Sequence, residues 1–331
     1  MIAASLPSLL QRFFMERLLR QLAASPHTVA GYRDAFRLLL RFAAERLRRA
    51  PSDLRLEELD APFLGEFLDH LERERGNCTR SRNTRLAALH AFFRYVALNE
   101  PAYALHCQRV LALPTKRYER GPVEFLLEEE IDALVAAPDR ATWMGRRDRA
   151  LLLVAVQTGL RNGELTALRR EDVAVGTGAH VRCLGKGRKT RCTPLRPDVV
   201  AVLGAWLAEQ AADQDGPVFP TSRGAPLSAD ALQRLVAKHA VTASAGCPSL
   251  AGKKVTPHTL RHTAAMELLR QGVDLSVIAL WLGHETMETT RMYVHAHMRL
   301  KEQALACTTP SGAVPDRYRP KDDLLRFLES L

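Results

Sequence analysis

Four separated segments in the second half of the chain carry side chains that could do chemistry. In the first, a helix is predicted to end at Gly159, and Arg161 opens the next helix with Glu164 three residues further on. Because side chains at this spacing face each other on a helix, the carboxylate can hold the guanidinium rigid. In the second, Lys186 lies between two glycines at the tip of a predicted hairpin, where its amine could reach outward to a ligand.

The third and fourth segments supply imidazoles, a second guanidinium and a phenol. From Thr256, a Thr cap followed by a proline predicts the start of a helix that displays His258 and Arg261 on one face. His284 ends a Leu-Gly-His turn, and Tyr293 follows nine residues later. The order and spacing of these groups matter more than any one of them, because each short motif arises often by chance.

Taken in this order, the groups resemble the site of the tyrosine recombinase family, which includes phage integrases and Xer-type recombinases. The resemblance covers the whole second half of the chain, and the helical first half looks like the family's core-binding domain. Gaps of 25, 72, 3, 23 and 9 residues separate six groups that all keep the family's pattern: Arg161, Lys186, His258, Arg261, His284 and Tyr293.

The resemblance implies a role for each group in breaking a phosphodiester. Two fixed guanidiniums, those of Arg161 and Arg261, would stabilise the negative charge that builds up on the phosphate oxygens. Tyr293 would be the nucleophile, and a phenol with a pKa of about 10 needs a cationic, dry setting to react. Lys186 suits the general acid that protonates the leaving sugar oxygen.

The two imidazoles are expected to hydrogen-bond the phosphate. His258 is also a candidate acceptor for the tyrosine proton, and the sequence leaves the identity of the general base open. By resemblance, the reaction yields a 3′-phosphotyrosine and a free 5′-hydroxyl, so that religation needs no metal, cofactor or ATP. The implied partner is double-stranded DNA, on which a homotetramer would recombine two sites through a Holliday junction. A monomeric state away from DNA is left open.

Composition agrees with a polyanionic partner. The 331 residues carry 47 Lys+Arg against 37 Asp+Glu, a formal net charge of +10. Of the basic residues 39 are arginine, which forks phosphate bidentately. The longest apolar run, from Leu151 to Val156, is far too short to span a membrane. Six scattered cysteines without a CxxC pair indicate a reducing compartment. We therefore expect a cytoplasmic protein with no membrane partner, and the resemblance to recombinases implies a bacterial one that acts at the nucleoid.

The first predicted domain, residues 1–112, is helical throughout. Its helices are predicted from about Ser25 to Arg48, from Ala61 to Arg75 and from Ser81 to Leu98. The N-terminus of the last one carries arginines among small hydroxyl and amide side chains, a composition suited to a phosphate cradle. The candidate DNA contacts there are Arg80, Arg82 and Arg85. An ordinary solvated loop is the alternative interpretation.

A linker is predicted over residues 113–122 and a second domain over 123–306. Helices are expected at about 127–137 and 146–158, then again from Pro197 onward. Strand-like segments lie between them at 173–175, 180–184 and 190–195, and the last two are joined by a Gly-rich basic turn that includes Lys189. The predicted fold is thus mainly α with a small antiparallel β-sheet, in two domains: a helical SAM-like core-binding domain and a catalytic domain.

Two other functions are compatible with parts of this pattern. The stretch from Asp274 to Tyr293 also resembles a helix-turn-helix, which would make the chain a non-catalytic DNA-binding regulator. A regulator would have no need of Lys186, or of Arg161 with Glu164. A type IB topoisomerase shares the same kind of site and is poorly distinguished by sequence, but the length of the chain and its Xer-like motifs favour a recombinase.

The C-terminal tail, residues 307–331, forms a separate hypothesis. After a Pro-rich connector, it carries a stripe of apolar side chains whose exposure to water would be unfavourable: Leu324, Leu325, Phe327, Leu328 and Leu331. We expect this tail to dock in a neighbouring protomer, with folding back onto its own domain as the alternative.

Overall fold

The computed structural model describes residues 5–119, 121, 123–185, 190–210, 216–284, 289, 290 and 293. The chain divides into two compact units, Met1–Arg120 and Gly121–Leu331. Three predicted features lie outside the described residues: Lys186, Lys189 and the tail 307–331.

The described part of the first unit is helical, as the sequence predicts. In chain order it contains α1 (Leu6–Arg12), which continues as a π-helical stretch (Phe13–Gln21), α2 (Pro26–Leu47), α3 (Ala61–Arg73), α4 (Thr79–Asn99) and α5 (Ala104–Leu111). The side chains of Ser25 and Asp60 cap α2 and α3, each accepting a hydrogen bond from the backbone N–H three residues on. Leucines and edge-to-face phenylalanines fill the core, with Phe36 and Phe92 at 5.2 Å between ring centroids.

The arginines predicted as DNA contacts have different surroundings in the structure. Arg80 is exposed, and Arg85 is half-buried with its Nη1 3.3 Å from the carbonyl oxygen of Gly31. Arg82 is only 5% exposed, and its Nη1 donates to the carbonyl of Pro114 at 2.9 Å. Because Arg82 is both buried and hydrogen-bonded inside its own domain, its guanidinium is not available to a phosphate. The prediction for Arg82 is therefore corrected: it ties the segment after α5 to α4.

The second unit is built mostly of helices. They are α6 (Glu128–Ala136), α7 (Trp143–Thr158), α8 (Asn162–Thr166), α9 (Pro197–Ala208), α10 (Ala229–Ser244), α11 (Pro257–Arg270) and α12 (Leu275–Leu282). Helix α7 begins at Trp143 rather than near Arg146, because the Thr142 hydroxyl accepts a hydrogen bond from the Gly145 N–H at 3.0 Å and caps the helix earlier.

The predicted antiparallel sheet is confirmed. Its strands are β1 (Val173–Ala174), β2 (His180–Leu184) and β3 (Thr190–Pro194), in the order β1-β2-β3. Val181 pairs with Thr193, and Leu184 pairs with Thr190 at the hairpin end. Val181 and Cys183 are buried while Arg182 is exposed, so β2 has one face on the core. The hairpin end of the sheet is where the chain continues towards residues 185–189.

A close contact joins the end of α7 to α11 and α12. Gly159 ends α7 with φ +62°, and a Cβ added there would lie 2.7 Å from Leu282 Cδ2 and 3.1 Å from Ala264 Cβ. Only glycine fits both the left-handed backbone and the space. Gly159 stands two residues before Arg161. The contact therefore fixes the position of the Arg161 backbone relative to α11 and α12.

Two apolar clusters stabilise the second unit. The larger one gathers side chains from α6 to α11 and the sheet around the buried Trp206. The smaller one packs α11 against α12 and includes Met266, Leu269, Ile278 and Tyr293. Throughout the described ranges, we find no helix with the length and apolar character needed to cross a bilayer.

Candidate active site

Arg161 stands immediately before α8 and is held by three hydrogen bonds. Its backbone N–H donates to Glu164 Oε2 at 2.8 Å, and its Nη1 donates to Glu164 Oε1 at 2.9 Å. Its Nη2 donates to the carbonyl oxygen of Gly283 at 2.7 Å. The predicted support by Glu164 is present in the structure. The side chain of Arg161 is still 34% exposed, so a face of the guanidinium is open to a ligand.

Arg191 on β3 shares the same carboxylate. Its Nη1 and Nη2 donate to the two oxygens of Glu164 at 2.9 and 2.7 Å, a bidentate pair. The two side chains are 11% and 7% exposed. One buried carboxylate thus orients two guanidiniums and joins the sheet to the start of α8. Sequence reasoning missed Arg191, since a strand and a helix start are brought together only by the tertiary fold.

Gly283 completes this cluster. It follows α12 with φ +64°, and a Cβ added there would lie 2.7 Å from Nη1 of Arg191. The Leu-Gly-His motif therefore requires glycine for a left-handed turn and for the close approach of a guanidinium.

Arg261 lies on α11, where it is 3% exposed. Its Nη1 donates to the carbonyl of Gly159 and its Nη2 to the carbonyl of Leu282, both at 2.6 Å. These carbonyls end α7 and α12, where helices carry partial negative charge. Burial, and then the charge of Arg161, lower the pKa of Arg261 to about 10. The guanidinium remains cationic at neutral pH.

Three histidines surround the arginines. His258 is exposed on α11, and its ring lies edge-on to that of His262 with centroids 4.2 Å apart. His284 follows Gly283, and its Nδ1 lies 2.8 Å from the Thr290 hydroxyl. Burial, and then the charges of nearby arginines, lower the pKa of His284 to about 4. Burial and neighbouring positive groups likewise lower the pKa of His262 to about 4. Both imidazoles are neutral at pH 7.

Tyr293 is 1% exposed in the smaller apolar cluster. Its hydroxyl lies 2.9 Å from Nδ1 of His262. Its ring is nearly parallel to that of His284, at 6.4 Å and 10°. Burial raises the pKa of Tyr293 to about 12, although the charge of Arg261 opposes the rise. The phenol is therefore protonated at neutral pH.

The structure brings five of the six predicted catalytic groups together, around the ends of α7 and α12 and one face of α11: Arg161, His258, Arg261, His284 and Tyr293. The sixth, Lys186, lies outside the described residues. The imidazole on the tyrosine oxygen is His262, whereas the sequence suggested His258. The Thr-x-His-x-x-x-His spacing alone could not show which histidine turns inward.

Glu164→Gln should lower stability in a pH-dependent way. Hydrogen bonds from Arg191 and Arg161 outweigh the effect of burial and lower the pKa of Glu164 to about 2 from 4.5. A carboxyl with a depressed folded-state pKa adds stability above its unfolded pKa and loses it as the pH falls through the folded pKa. The loss in Glu164→Gln should be about 3 kcal/mol at pH 7 and shrink between pH 4.5 and 2.

Urea unfolding of both proteins from pH 2 to 7 checks this. Glu209→Gln is the matched control, because the Glu209 carboxylate pairs with Arg146 at the surface, at 33% exposure, where such pairs contribute little. A difference between wild type and Glu164→Gln that does not vary with pH would contradict the expectation.

The fold and the site together fit an enzyme that acts on a phosphodiester, since fixed guanidiniums can stabilise a phosphate and a phenol can serve as a nucleophile. Two arginines, neutral imidazoles and a phenol gather around the ends of α7 and α12, in the second of two compact units. The profile of the phage integrase family matches residues 124–299, and that of the phage integrase N-terminal SAM-like domain matches residues 11–99. The chain belongs to the phage integrase family, the tyrosine recombinases.

Relatives agree along almost the whole chain. A protein of Sinorhizobium fredii named as an integrase/recombinase, y4rC, is 56% identical over 328 residues, 99% of each chain. The tyrosine recombinase XerC of Rhodospirillum centenum is 36% identical over 322 residues, 90% of each chain. These relatives confirm the prediction of a site-specific recombinase and give no support to the topoisomerase or regulator alternatives.

A solved structure has the same fold. The XerH site-specific recombinase, bound to palindromic difH substrate in a post-cleavage complex, has a TM-score of 0.66 at 22% identity. The match covers 91% of this chain and 84% of that chain. The predicted fold class, helical with a small antiparallel sheet, is therefore confirmed.

Proposed function

We propose that the chain cleaves and rejoins double-stranded DNA at specific sites through a 3′-phosphotyrosine bond to Tyr293, without metal or ATP. One observation carries the proposal: Tyr293, two arginines and the histidines lie in one site although they come from distant parts of the sequence. The printed names of the relatives, tyrosine recombinases, support it, and so does the DNA substrate in the XerH complex.

Arg161 and Arg261 act on the nonbridging oxygens of the scissile phosphate. Both guanidiniums are fixed by hydrogen bonds before any substrate is present, so they need not reorganise when charge develops in the transition state. Arg161 is the more exposed of the two and meets the phosphate from the open side. Arg261 supplies a charge whose field is little screened by water.

The other groups handle protons and orientation. His258 and His284 hydrogen-bond the phosphate. The Thr290 hydroxyl, hydrogen-bonded to Nδ1 of His284, helps to orient that ring. Lys186, which follows β2 in sequence, protonates the 5′-oxygen as the P–O bond breaks. An amine is suited to this step, since the leaving alkoxide is strongly basic.

The partner is double-stranded DNA, and the active assembly is a homotetramer. A net charge of +10 favours binding to the phosphate backbone. Lys189 adds a contact with DNA, and the tail 307–331 docks in a neighbouring protomer. The reaction takes place in the bacterial cytoplasm, where the DNA is.

Arg80→Ala combined with Arg85→Ala should weaken DNA binding and flatten its salt dependence. Each lost phosphate contact lowers the slope of log K against log salt by about 1. Arg82→Ala, from the same helix, is the matched contrast: it should leave the slope unchanged and lower the stability of the first domain by about 1–3 kcal/mol. DNA-binding titrations from 50 to 200 mM salt measure the slope, and a thermal melt measures the stability, so together they distinguish the double variant from Arg82→Ala. A salt slope that stays at the wild-type value in the double variant would contradict the proposed contacts.

The proposed function is tested by covalent trapping. Nicked duplexes are prepared from the DNA on either side of the chain's own gene, so that the short fragment released by cleavage diffuses away and the adduct accumulates. A protein–DNA band that survives denaturant and forms in EDTA is the expected result. Failure of every flanking duplex to give such a band would overturn the proposal. Relaxation of an unrelated supercoiled plasmid would favour the topoisomerase instead.

A further inference from the structure

The oxygen of Tyr293 has its hydrogen-bond partner on α11. Nδ1 of His262 lies 2.9 Å from it, and the two rings meet edge to face with centroids 5.5 Å apart. Within the described residues, no second hydrogen bond to this oxygen is found. The contact joins the nucleophile to a histidine next to Arg261, one that the recombinase pattern Arg, Lys, His, Arg, His, Tyr does not include.

The direction of this hydrogen bond follows from the chemistry of the two groups. A buried phenol carries an O–H that must be donated to an acceptor, or the burial costs free energy. Nδ1 of His262 is that acceptor, so the neutral imidazole carries its own hydrogen on Nε2. The lone pair of Nδ1 therefore already points at the proton that must leave when Tyr293 attacks.

We propose that His262 is the general base that removes the proton of Tyr293, an inference that rests on the proposed function. As the Tyr293 oxygen forms its bond to phosphorus, the O–H bond breaks and the proton moves to Nδ1, giving an imidazolium. The bond from phosphorus to the 5′-oxygen breaks, and that oxygen takes its electron pair and a proton from the general acid, Lys186. Religation reverses both transfers, so the imidazolium returns its proton to the departing phenol.

The surroundings of His262 keep the proton on the Tyr293 oxygen in this structure. Among the residues that the structure describes, the positive or titratable groups that face it, besides Tyr293, are His258 and Arg261 from α11 and His284 from the turn after α12. They and burial hold the pKa of His262 at about 4, while that of Tyr293 is about 12, so the proton stays on oxygen. A bound phosphodiester brings a negative charge among these groups, which favours the imidazolium. The substrate thus activates its own base.

The other two imidazoles are less suited to this step. His284 uses Nδ1 on the Thr290 hydroxyl, and its ring lies nearly parallel to that of Tyr293 rather than edge-on. His258 is exposed, and its ring packs against that of His262, with centroids 4.2 Å apart. Both are better placed to meet the phosphate than the phenolic hydrogen.

Two variants distinguish a general base from a residue that only packs against Tyr293 or accepts its hydrogen bond. In His262→Asn the amide oxygen stands near the place of Nδ1 and still accepts the hydrogen bond, but it cannot hold a proton. Single-turnover cleavage of the nicked flanking duplexes should then slow by about 10²–10⁴-fold, with DNA affinity and melting temperature close to wild type. The cleavage rate of the wild type should fall towards acid pH, and this fall should be absent in His262→Asn. His180→Asn is the control, since His180 lies on β2 and contacts the Gly178 carbonyl.

His262→Ala gives the second readout. It removes both hydrogen bond and base, and added imidazole should restore part of its cleavage rate, which no packing role would predict. The inference is overturned if His262→Asn keeps the wild-type rate or its acid limb, if it cleaves faster, or if imidazole does not accelerate His262→Ala. If the wild type forms a Tyr293-dependent adduct and His262→Asn cleaves normally, this inference alone is wrong. If the wild type forms no adduct at all, the proposed function is wrong.

Discussion

Tyr293→Phe should form no covalent adduct with DNA while binding DNA as the wild type does. The substitution deletes one oxygen, the atom that would join phosphorus, and leaves the ring in its apolar cluster with Met266 and Ile278. Without that oxygen no protein–phosphate bond can form, so the expected loss is complete. Denaturing gels of nicked duplexes measure the adduct, and gel shifts measure the binding.

Loss of the hydroxyl also leaves Nδ1 of His262 without its partner, which should cost about 1 kcal/mol of stability. Tyr103→Phe is the matched control in the first unit, because the Tyr103 hydroxyl likewise makes one hydrogen bond, to Glu57 at 3.0 Å. That variant should trap DNA like the wild type. A denaturant-resistant band in Tyr293→Phe would show that another residue is the nucleophile.

For Tyr293 to attack a phosphate as proposed, its burial requires that the site change when DNA binds. At 1% exposure the phenol has almost no surface on which to meet a phosphate, while the Arg161 guanidinium is a third exposed. One phosphorus atom cannot contact both unless the tyrosine or the residues covering it move. The high pKa of the phenol and its hydrogen bond to a neutral imidazole keep the proton on the Tyr293 oxygen at neutral pH.

Much of the local structure could be predicted because it depends on neighbours in sequence. Ser25 and Thr256 cap helices that begin with proline, and Gly159 ends α7 in the left-handed conformation. Such signals are complete within a few residues. The hairpin of β2 and β3 was predictable for the same reason, since alternation and a Gly-rich turn lie side by side in the chain.

The contacts that order the site could not be predicted in this way. Glu164 was expected to support Arg161, yet it also binds Arg191, whose position depends on how the sheet packs against α8. Composition suggested equal roles for Arg80 and Arg82, but the helical turn carries one outward and buries the other. Likewise His258 and His262 stand four residues apart on α11, and only packing decides which meets Tyr293.

Arg161→Lys and Arg261→Lys should both slow cleavage by about 10²–10³-fold, the cost of losing one fixed donor to a developing oxyanion. Lysine keeps the positive charge but cannot donate two parallel hydrogen bonds as a guanidinium does. At position 161 it cannot bind both Glu164 and the Gly283 carbonyl and still offer N–H groups to a phosphate. Single-turnover rates on nicked duplexes measure the loss. Arg196→Lys is the control, because Arg196 pairs with Asp198 at 61% exposure on the surface.

The two variants should differ in stability, and this difference tests how each arginine is held. Arg261 is 3% exposed and satisfies the carbonyls of Gly159 and Leu282, so a lysine there leaves one carbonyl unpaired at a cost of about 1–3 kcal/mol. That should lower the melting temperature by several degrees, at about 2–4 °C per kcal/mol. Arg161→Lys should melt close to wild type, since its side chain is a third exposed. The reverse order of melting temperatures would mean that Arg161, and not Arg261, clamps the ends of α7 and α12.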